Sequence, residues 1–454
     1  DNVTIDGSTS GGTDQSLTIT NLNTTGVVIW IRSASAANGA TNNTVKNSLI
    51  NGSSGTTTIG GILSSGTTLG GDAEAANSNN TIQNNLITKV QNALYLRGGA
   101  TAPTWDQNWL VTENTLGSTV AADKLGFRGM LIGNAQNFTV SKNTIYGVVS
   151  STSSSSTMSG IQVGLAVSGG LISQNKISDI KQINTTGWGS NGIYLAASTT
   201  ASNVTVANNF VSDVASQGYA GVTQSDNGYG IMVQSGGGYK IVYNSVLMAT
   251  NQAATTGIPA AINIASGVAT GGVELVNNIF ATIQTVGVPY AIYSAAPATV
   301  FSTINFNNYY PGTGTLGYLG SAQTTLAAWQ AATGQDANSV VGDPLFLSTT
   351  DLHITNEASP ASNAGTPIAG ITIDIDGQSR SPALPDIGAD EFGAVPQPAI
   401  TLDKTVGANP AVCATSNAIT LPFGGGSVTY CYEVTNTGDV TLNQHDLMDS
   451  ELGA

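Results

Sequence analysis

The chain has 454 residues, of which 9% are charged and 40% apolar, with 55 glycines, a net charge of −15 and a pI near 4.2. Such a balance offers no basic surface to neutralise phosphates, which excludes nucleic acid as a partner, and its low charge excludes a disordered chain. No apolar run approaches the roughly 18–20 residues of a membrane span, so no span is expected in this chain.

The first residues, Asn2-Val3-Thr4-Ile5, already read as a strand, with neither Met nor signal peptide ahead of Asp1. The expectation is that something upstream has been processed away or left out, and that the first turn carries no cap. A pattern then sets in: an apolar residue, two spacers, a polar residue, one spacer, an apolar residue. Weak copies sit at Leu17/Thr20/Leu22 and Val45/Ser48/Ile50. Full copies with Asn follow at Ile82/Asn85/Ile87, Val111/Asn114/Leu116, Val140/Asn143/Ile145 and Ile172/Asn175/Ile177. They continue at Val206/Asn209/Val211, Ile241/Asn244/Val246, Leu275/Asn278/Phe280 and Ile304/Asn307/Tyr309. From Ser48 the polar positions recur every 29 to 37 residues, a period that marks a solenoid.

A second column alternates with the first. It comprises Gly61-Ile62-Leu63, Ala93-Leu94-Tyr95-Leu96, Gly129-Met130-Leu131-Ile132 and Gly160-Ile161-Gln162-Val163. Gly192-Ile193-Tyr194-Leu195, Gly230-Ile231-Met232-Val233, Ala261-Ile262-Asn263-Ile264 and Ala291-Ile292-Tyr293 complete it. Short period-2 runs bounded by Gly and Asn are strands, and two or three per turn make a right-handed parallel β-helix over residues 1–311. Asn at a corner tolerates the left-handed conformation, and identical amides one rung apart stack as a hydrogen-bonded ladder. The ladder is expected at Asn85, Asn114, Asn143, Asn175, Asn209, Asn244, Asn278 and Asn307. Segments 66–77 and 150–159 read as loops projecting from the edges.

The repeat stops near Pro311. Leu326, Trp329 and Ala332 share one face of a short helix, Thr324 to Thr333, ended by Gly334. Irregular elements follow: Asp343-Pro344-Leu345-Phe346, Ser359-Pro360-Ala361, Asp374-Ile375-Asp376-Gly377 and Asp386-Ile387-Gly388-Ala389. In that order they resemble the C-terminal end of secreted right-handed parallel β-helix repeat proteins. The resemblance implies a C-terminal cap over 312–395 including a linker, and an exported surface or adhesion protein. Some relatives of that fold are polysaccharide lyases or hydrolases. Val395-Pro396-Gln397-Pro398 is a stiff linker. Beyond it, Tyr432-Glu433-Val434-Thr435-Asn436-Thr437-Gly438 resembles the repeated Ig-like module of bacterial and archaeal surface proteins. A sandwich of that kind takes about 100 residues, so 396–454 is expected to be an incomplete one. Cys413 and Cys431 lie within it. In an extracellular setting they close a disulfide loop contributing roughly 3 kcal/mol, whereas no His or further Cys stands at metal-ligand spacing.

Candidate chemistry is sparse. Asp179 and Asp213 each follow a ladder Asn by four residues, so they are expected to be neighbours on adjacent rungs. They would seat Ca²⁺, act as an acid/base pair on a glycan, or stand solvated at an exposed corner. Lys89 shares their column as a partner for an acid. Arg97 and Arg128 flank the second column with no dense Asp cluster beside them. Asp374 and Asp376, with Asp386, Asp390 and Glu391 nearby, read either as a Ca²⁺ site or as turn-forming acids balanced by Arg380. Trp105, Trp109 and Trp188 are candidates for stacking on sugars or for rung packing. Gly312-Thr313-Gly314-Thr315-Leu316-Gly317 matches a dinucleotide fingerprint by letter, but no βαβ unit surrounds it. His353 and His445 lack a Ser or Cys partner, which argues against a nucleophilic triad.

The sequence reading is an extracellular, structural or adhesive surface protein, without a cofactor unless Ca²⁺. Its partners would be other copies of itself, through end-to-end stacking or strand completion, and extracellular glycans. Two alternatives stand beside it: a polysaccharide lyase or glycoside hydrolase acting along the groove, and non-catalytic glycan binding.

Overall fold

A computed structural model describes residues 1–152, 157–184, 188–217, 226–393, 400–437, 442, 444 and 446–450. The chain divides into two compact units, 1–392 and 393–454.

The first unit is a parallel β-solenoid. One face stacks the second-column strands, Val27–Arg32, Gly60–Ser65, Asn92–Arg97 and their successors to Thr315–Leu319, each parallel to the next. A second face carries the strands ahead of the ladder, with Val140, Ile172, Val206 and Ile241 in lateral register. The third is an eleven-stranded sheet stacked in chain order, with Ile145, Ile177, Val211 and Val246 in register. Strands Arg128–Ser141 and Met158–Ser173 run unbroken from the first face into the second. Because every turn places its apolar residues over those of the turn before, Ile62, Leu94, Met130, Ile161, Ile193 and Ile231 join one continuous core.

The Gly/Ala alternation in the second column has a steric cause. A Cβ at Gly61, Gly129, Gly160, Gly192 or Gly230 would lie 2.2–2.6 Å from a methyl of Ile87, Ile145, Ile177, Val211 or Val246 respectively. All five facing residues are β-branched. Where the column holds Ala instead, at Ala93, Ala261 and Ala291, the equivalent residues are Leu116, Phe280 and Tyr309, which carry a single γ carbon. One methyl is thus exchanged between two faces to hold a constant packing volume.

The amides of the expected ladder hydrogen-bond in sequence: Nδ2 of Asn85, Asn114, Asn143, Asn175, Asn209, Asn244 and Asn278 each donates to Oδ1 of the next Asn, at 2.9–3.1 Å. Asn307 is the last in the row. The backbone reason expected for Asn does not hold. The left-handed residue is the one before it: Asn84, Glu113, Lys142, Gln174, Asn208, Tyr243, Asn277 and Phe306 have φ between 50 and 60°. Asn is required for its side chain. The Oδ1 of Asn175 accepts from the backbone N–H and Nδ2 of Asn143, while its Nδ2 also donates to Val140 O and Ser173 O. No other side chain of that size accepts and donates in this way.

Parallel pairing continues past Pro311, to Val340–Val341 against Asn308–Tyr309. The helix spans Leu326–Thr333, with Thr325 as N-cap and Gly334 at φ 67° as C-cap. Trp329 is fully buried beside Phe301 and Tyr309, and its Nε1 donates to Asp336. This helix packs Trp329 and Leu326 against the solenoid core. The residues beyond it turn back along the third sheet, where Leu352, Ile354, Ala361, Ile375, Ile387 and Ala389 pack on its outward Phe210, Leu247, Ile279 and Ala281. Asn277, Asn208 and Gln174 fasten that strap through backbone oxygens of Thr366, Ile373 and Asp374.

The second unit contains an antiparallel pair, Ile400–Gly407 with Thr429–Asn436, and a Cys413–Cys431 disulfide. The 395–398 linker lies outside the described residues. Among the described residues no helix is long and apolar enough to cross a membrane.

Candidate functional site

Asp179 and Asp213 do come together, but through a cation. Lys181 Nζ lies 3.0 Å from Asp179 and 2.7 Å from Asp213, and Lys124 contacts Asp179 at 2.5 Å. Burial pulls the Lys181 ammonium down, yet its bonds to Asp213 and Asp179 outweigh this and hold it above its ordinary value. Both Asp residues occupy left-handed corners, at φ 51° and 50°, as does Lys89 at 59°. This is a position where Asp is conformationally favoured over most residues. Lys89 pairs with Asp123 rather than with either acid.

Asp374 and Asp376 do not face one site. Asp374 is fully buried and accepts three backbone N–H groups, from Asp376, Gln378 and Glu391. Asp376 instead pairs with Lys176 and with His353, whose other ring nitrogen meets Asp351. Arg380 is held by Glu391, Asn208 and the Gly388 carbonyl, with its guanidinium 4.0 Å above the Tyr243 ring. His353, Asp376 and Asp390 are close enough to share a cation. Each already has a partner, however: Asp390 accepts from Ile354 N. His445 lies outside the described residues. Trp109 is buried and donates to Asn77 O, while Trp105 and Trp188 are half-buried. Gly312–Gly317 forms a turn and strand in which Gly317 leaves room for the Trp329 ring.

A different surface gathers chemistry: the outside of the first face. Period-2 alternation turns Trp30, Leu63, Tyr95, Leu131, Gln162, Tyr194, Met232, Asn263, Tyr293 and Tyr318 away from the core, one per rung in lateral register. A flanking row holds Asn92, Arg128, Ser159, Asn191, Tyr229, Ala260 and Tyr290. Tyr293 and Tyr318 stack with centroids 4.5 Å apart, and Tyr290 meets both edge-on. Tyr95, Gln162, Tyr194, Tyr293 and Tyr318 are half-exposed.

Arg128 sits in the middle of this surface. Its Nε donates to Gln162 Oε1 at 2.5 Å, its Nη1 to Asn92 Oδ1 at 3.4 Å, and its guanidinium lies 3.9 Å over the Phe127 ring. Burial lowers its pKa to about 10, with Tyr95 and Tyr194 opposing. Sequence reasoning placed Arg128 beside the second column and quoted Tyr194 and Tyr293 within it. The signal that would have found the surface is the parity of those positions: each is one step off the buried isoleucine, hence outward.

No protein-family model and no curated protein matches the chain. Among solved structures the fold is similar to the A-module of mannuronan C-5 epimerase AlgE6 from Azotobacter vinelandii, at 11% identity and a TM-score of 0.39, covering 75% of this chain and 82% of that one. It is also similar to XylC in complex with xylose, at 12% identity and a TM-score of 0.40, covering 83% of this chain and 61% of that one. At these identities the likeness is one of fold.

Proposed function

We propose that this chain is an extracellular surface protein whose solenoid binds a glycan chain lengthwise along the outside of its first face, without cleaving it. The observation that carries this reading is the outward row. It presents four half-exposed tyrosines and a glutamine, Tyr95, Gln162, Tyr194, Tyr293 and Tyr318, along one line of a rigid sheet whose rungs lie about 4.8 Å apart, so an extended polymer laid along it meets several of them. Phenol rings combine an apolar body with a hydroxyl, which suits a ligand that is apolar on its ring faces and polar at its rim. The disulfide in the second unit fits an oxidising compartment. The surface-module resemblance of 396–454 supports the same location, and an adhesive part follows from it.

Cleavage at Asp179 and Asp213 is the rival. Both carboxylates are engaged by lysines at 3.0 Å or less, which favours an architectural part for them. Affinity electrophoresis through a panel of soluble polysaccharides tests the reading. Retardation of the wild type, weakened about tenfold or more by Tyr194→Ala with Tyr293→Ala and unchanged by Asp179→Asn, is expected. Shortening of any polymer by the wild type, abolished by Asp179→Asn, would replace binding by catalysis.

A further inference from the structure

We propose that Arg128, with Ser159 and Asn191 on the next two rungs of its row, seats an anionic substituent of an acidic polysaccharide; this rests on the glycan reading above and names its ligand class.

Charge pairing is the first argument. Among the described residues nine of the twelve lysines and arginines form an ion pair with Asp or Glu, and the exceptions are Arg32, Lys142 and Arg128. Arg32 and Lys142 are exposed and solvated; Arg128 is not. Segments 153–156, 185–187 and 218–225, which lead into strands of this face, contain no Asp or Glu. A desolvated guanidinium without a counter-charge is costly, and in a chain of net charge −15 the missing anion is not for want of acids. Position is the second argument. Ser159 is paired laterally with Arg128, and Asn191 with Ser159. The Ser159 hydroxyl and the Asn191 Oδ1 have no hydrogen-bond partner among the described residues, although the residues are 0% and 1% exposed. Buried polar atoms of this kind are nearly always satisfied, so two in succession beside an unneutralised arginine mark a place for a ligand.

The geometry suits an acid group. Gln162 and Asn92 fix the guanidinium plane through Nε and Nη1, and Phe127 supports its face. Nη2 makes no hydrogen bond to the described residues and can donate, with Nη1, to two oxygens of a carboxylate. The Ser159 hydroxyl adds a donor, and Asn191 Oδ1 accepts from a neighbouring sugar hydroxyl. A sulfate ester offers the same oxygens as a uronate.

Isothermal titration of the full chain with a polyuronate, with that polymer after carboxyl reduction, and with a sulfated neutral glucan separates these cases. Carboxyl reduction, or Arg128→Met, is expected to weaken polyuronate binding at least about tenfold, with Arg128→Lys recovering only part. The melting temperature of Arg128→Met should not fall, because the variant loses an uncompensated charge rather than an ion pair. Stronger, equally Arg128-dependent binding of the sulfated glucan supports the seat with sulfate in it. Undiminished binding of the reduced polymer, or of Arg128→Met to the polyuronate, overturns the seat and leaves the glycan reading standing. Failure of the wild type to bind any polymer overturns both.

Discussion

At the scale of single residues, the amide row is where one atom decides most. Asn175 is fully buried and engages Asn143, Asn209 and two backbone carbonyls. Removing its side chain leaves the Asn143 N–H without its acceptor, takes one acceptor from the Asn143 Nδ2, which keeps the Val111 and Ser141 carbonyls, and takes the amide donor from the Val140 and Ser173 carbonyls, all inside the core. Each stranded buried group costs on the order of 1–3 kcal/mol, so Asn175→Ala is expected to destabilise by about 3 kcal/mol or more in urea unfolding. Asn108→Ala removes one bond of a similar, exposed amide pair with Asn79 and leaves Ala at a left-handed φ of 56°, so it should cost only about 1 kcal/mol, nearly all of it from the backbone. The residue before each ladder Asn makes the complementary case. Lys142 holds φ 57°, is exposed and has no ion pair among the described residues. Left-handed backbone costs such a residue about 1 kcal/mol, which Lys142→Asn should recover in part as a raised unfolding midpoint. The row itself was legible from residue spacing. Its conformational reason was not, since a left-handed φ at Glu113 or Phe306 leaves no compositional trace.

Elements are coupled where two faces meet. Gly192 faces Val211 with no room for a Cβ, which would lie 2.3 Å from Val211 Cγ1 and 2.6 Å from the Gly230 carbonyl. Gly192→Ala should therefore destabilise by about 1–3 kcal/mol. The natural Ala93/Leu116 and Ala261/Phe280 combinations indicate the remedy: Val211→Leu should restore part of the loss, so that the double variant is more stable than the sum of the single ones predicts. Stability measured on all four members of the cycle checks this, and strict additivity would refute the exchange of a methyl between faces. The strands and their period were visible in the alternation of Ile193, Tyr194 and Leu195. Which small residue stood where was also visible, but its meaning needed the facing residue, which follows about twenty positions later in sequence and touches only because the turn closes. The strap escaped for a related reason. Its Leu352, Ile354 and Ile375 have no period, and the surface they cover, Phe210 and Leu247, interleaves with core positions. The candidate site was half-legible: Arg128 and Tyr194 were noticed as letters, and only the register of the sheet makes them one surface. In the second unit the Cys413–Cys431 bond closes a separation of 18 residues. Cys413→Ser is expected to cost that unit roughly 3 kcal/mol and to leave the solenoid's unfolding transition in place, as calorimetry with and without reductant would report.

Over the whole molecule, charge sets two opposing responses. Asp106 and Asp386 are pushed up to about 7 and Asp390 to about 6, in each case by burial that their backbone hydrogen bonds only partly offset. A carboxyl whose folded value exceeds its unfolded one binds more protons in the folded state. Its contribution is therefore full below the unfolded value of 3.8 and is lost as pH climbs toward 6 and 7. Glu74, held at about 2 by Ser33 and Thr67, acts in the reverse sense, losing its contribution as pH falls below 4.5. The melting temperature should peak near about pH 4–5 and decline toward pH 8, and Asp106→Asn should flatten that decline. The second response concerns binding. A net charge of −15 repels an acidic polymer at long range, while the seat at Arg128 attracts it only at contact. Salt screens the first effect over a Debye length of about 10 Å at 0.1 M and reaches the half-buried second one much less. The association rate for a polyuronate is accordingly expected to rise between low and physiological ionic strength, opposite to the fall shown by proteins that hold acidic polymers on a basic surface. Stopped-flow measurements on wild type and Arg128→Met check the division of labour. The salt-dependent rise should persist in the variant, because it belongs to the whole surface, while the dissociation rate increases, because it belongs to one guanidinium. A rate that falls with salt in both proteins would instead place the contact on exposed lysines and remove the seat from the account.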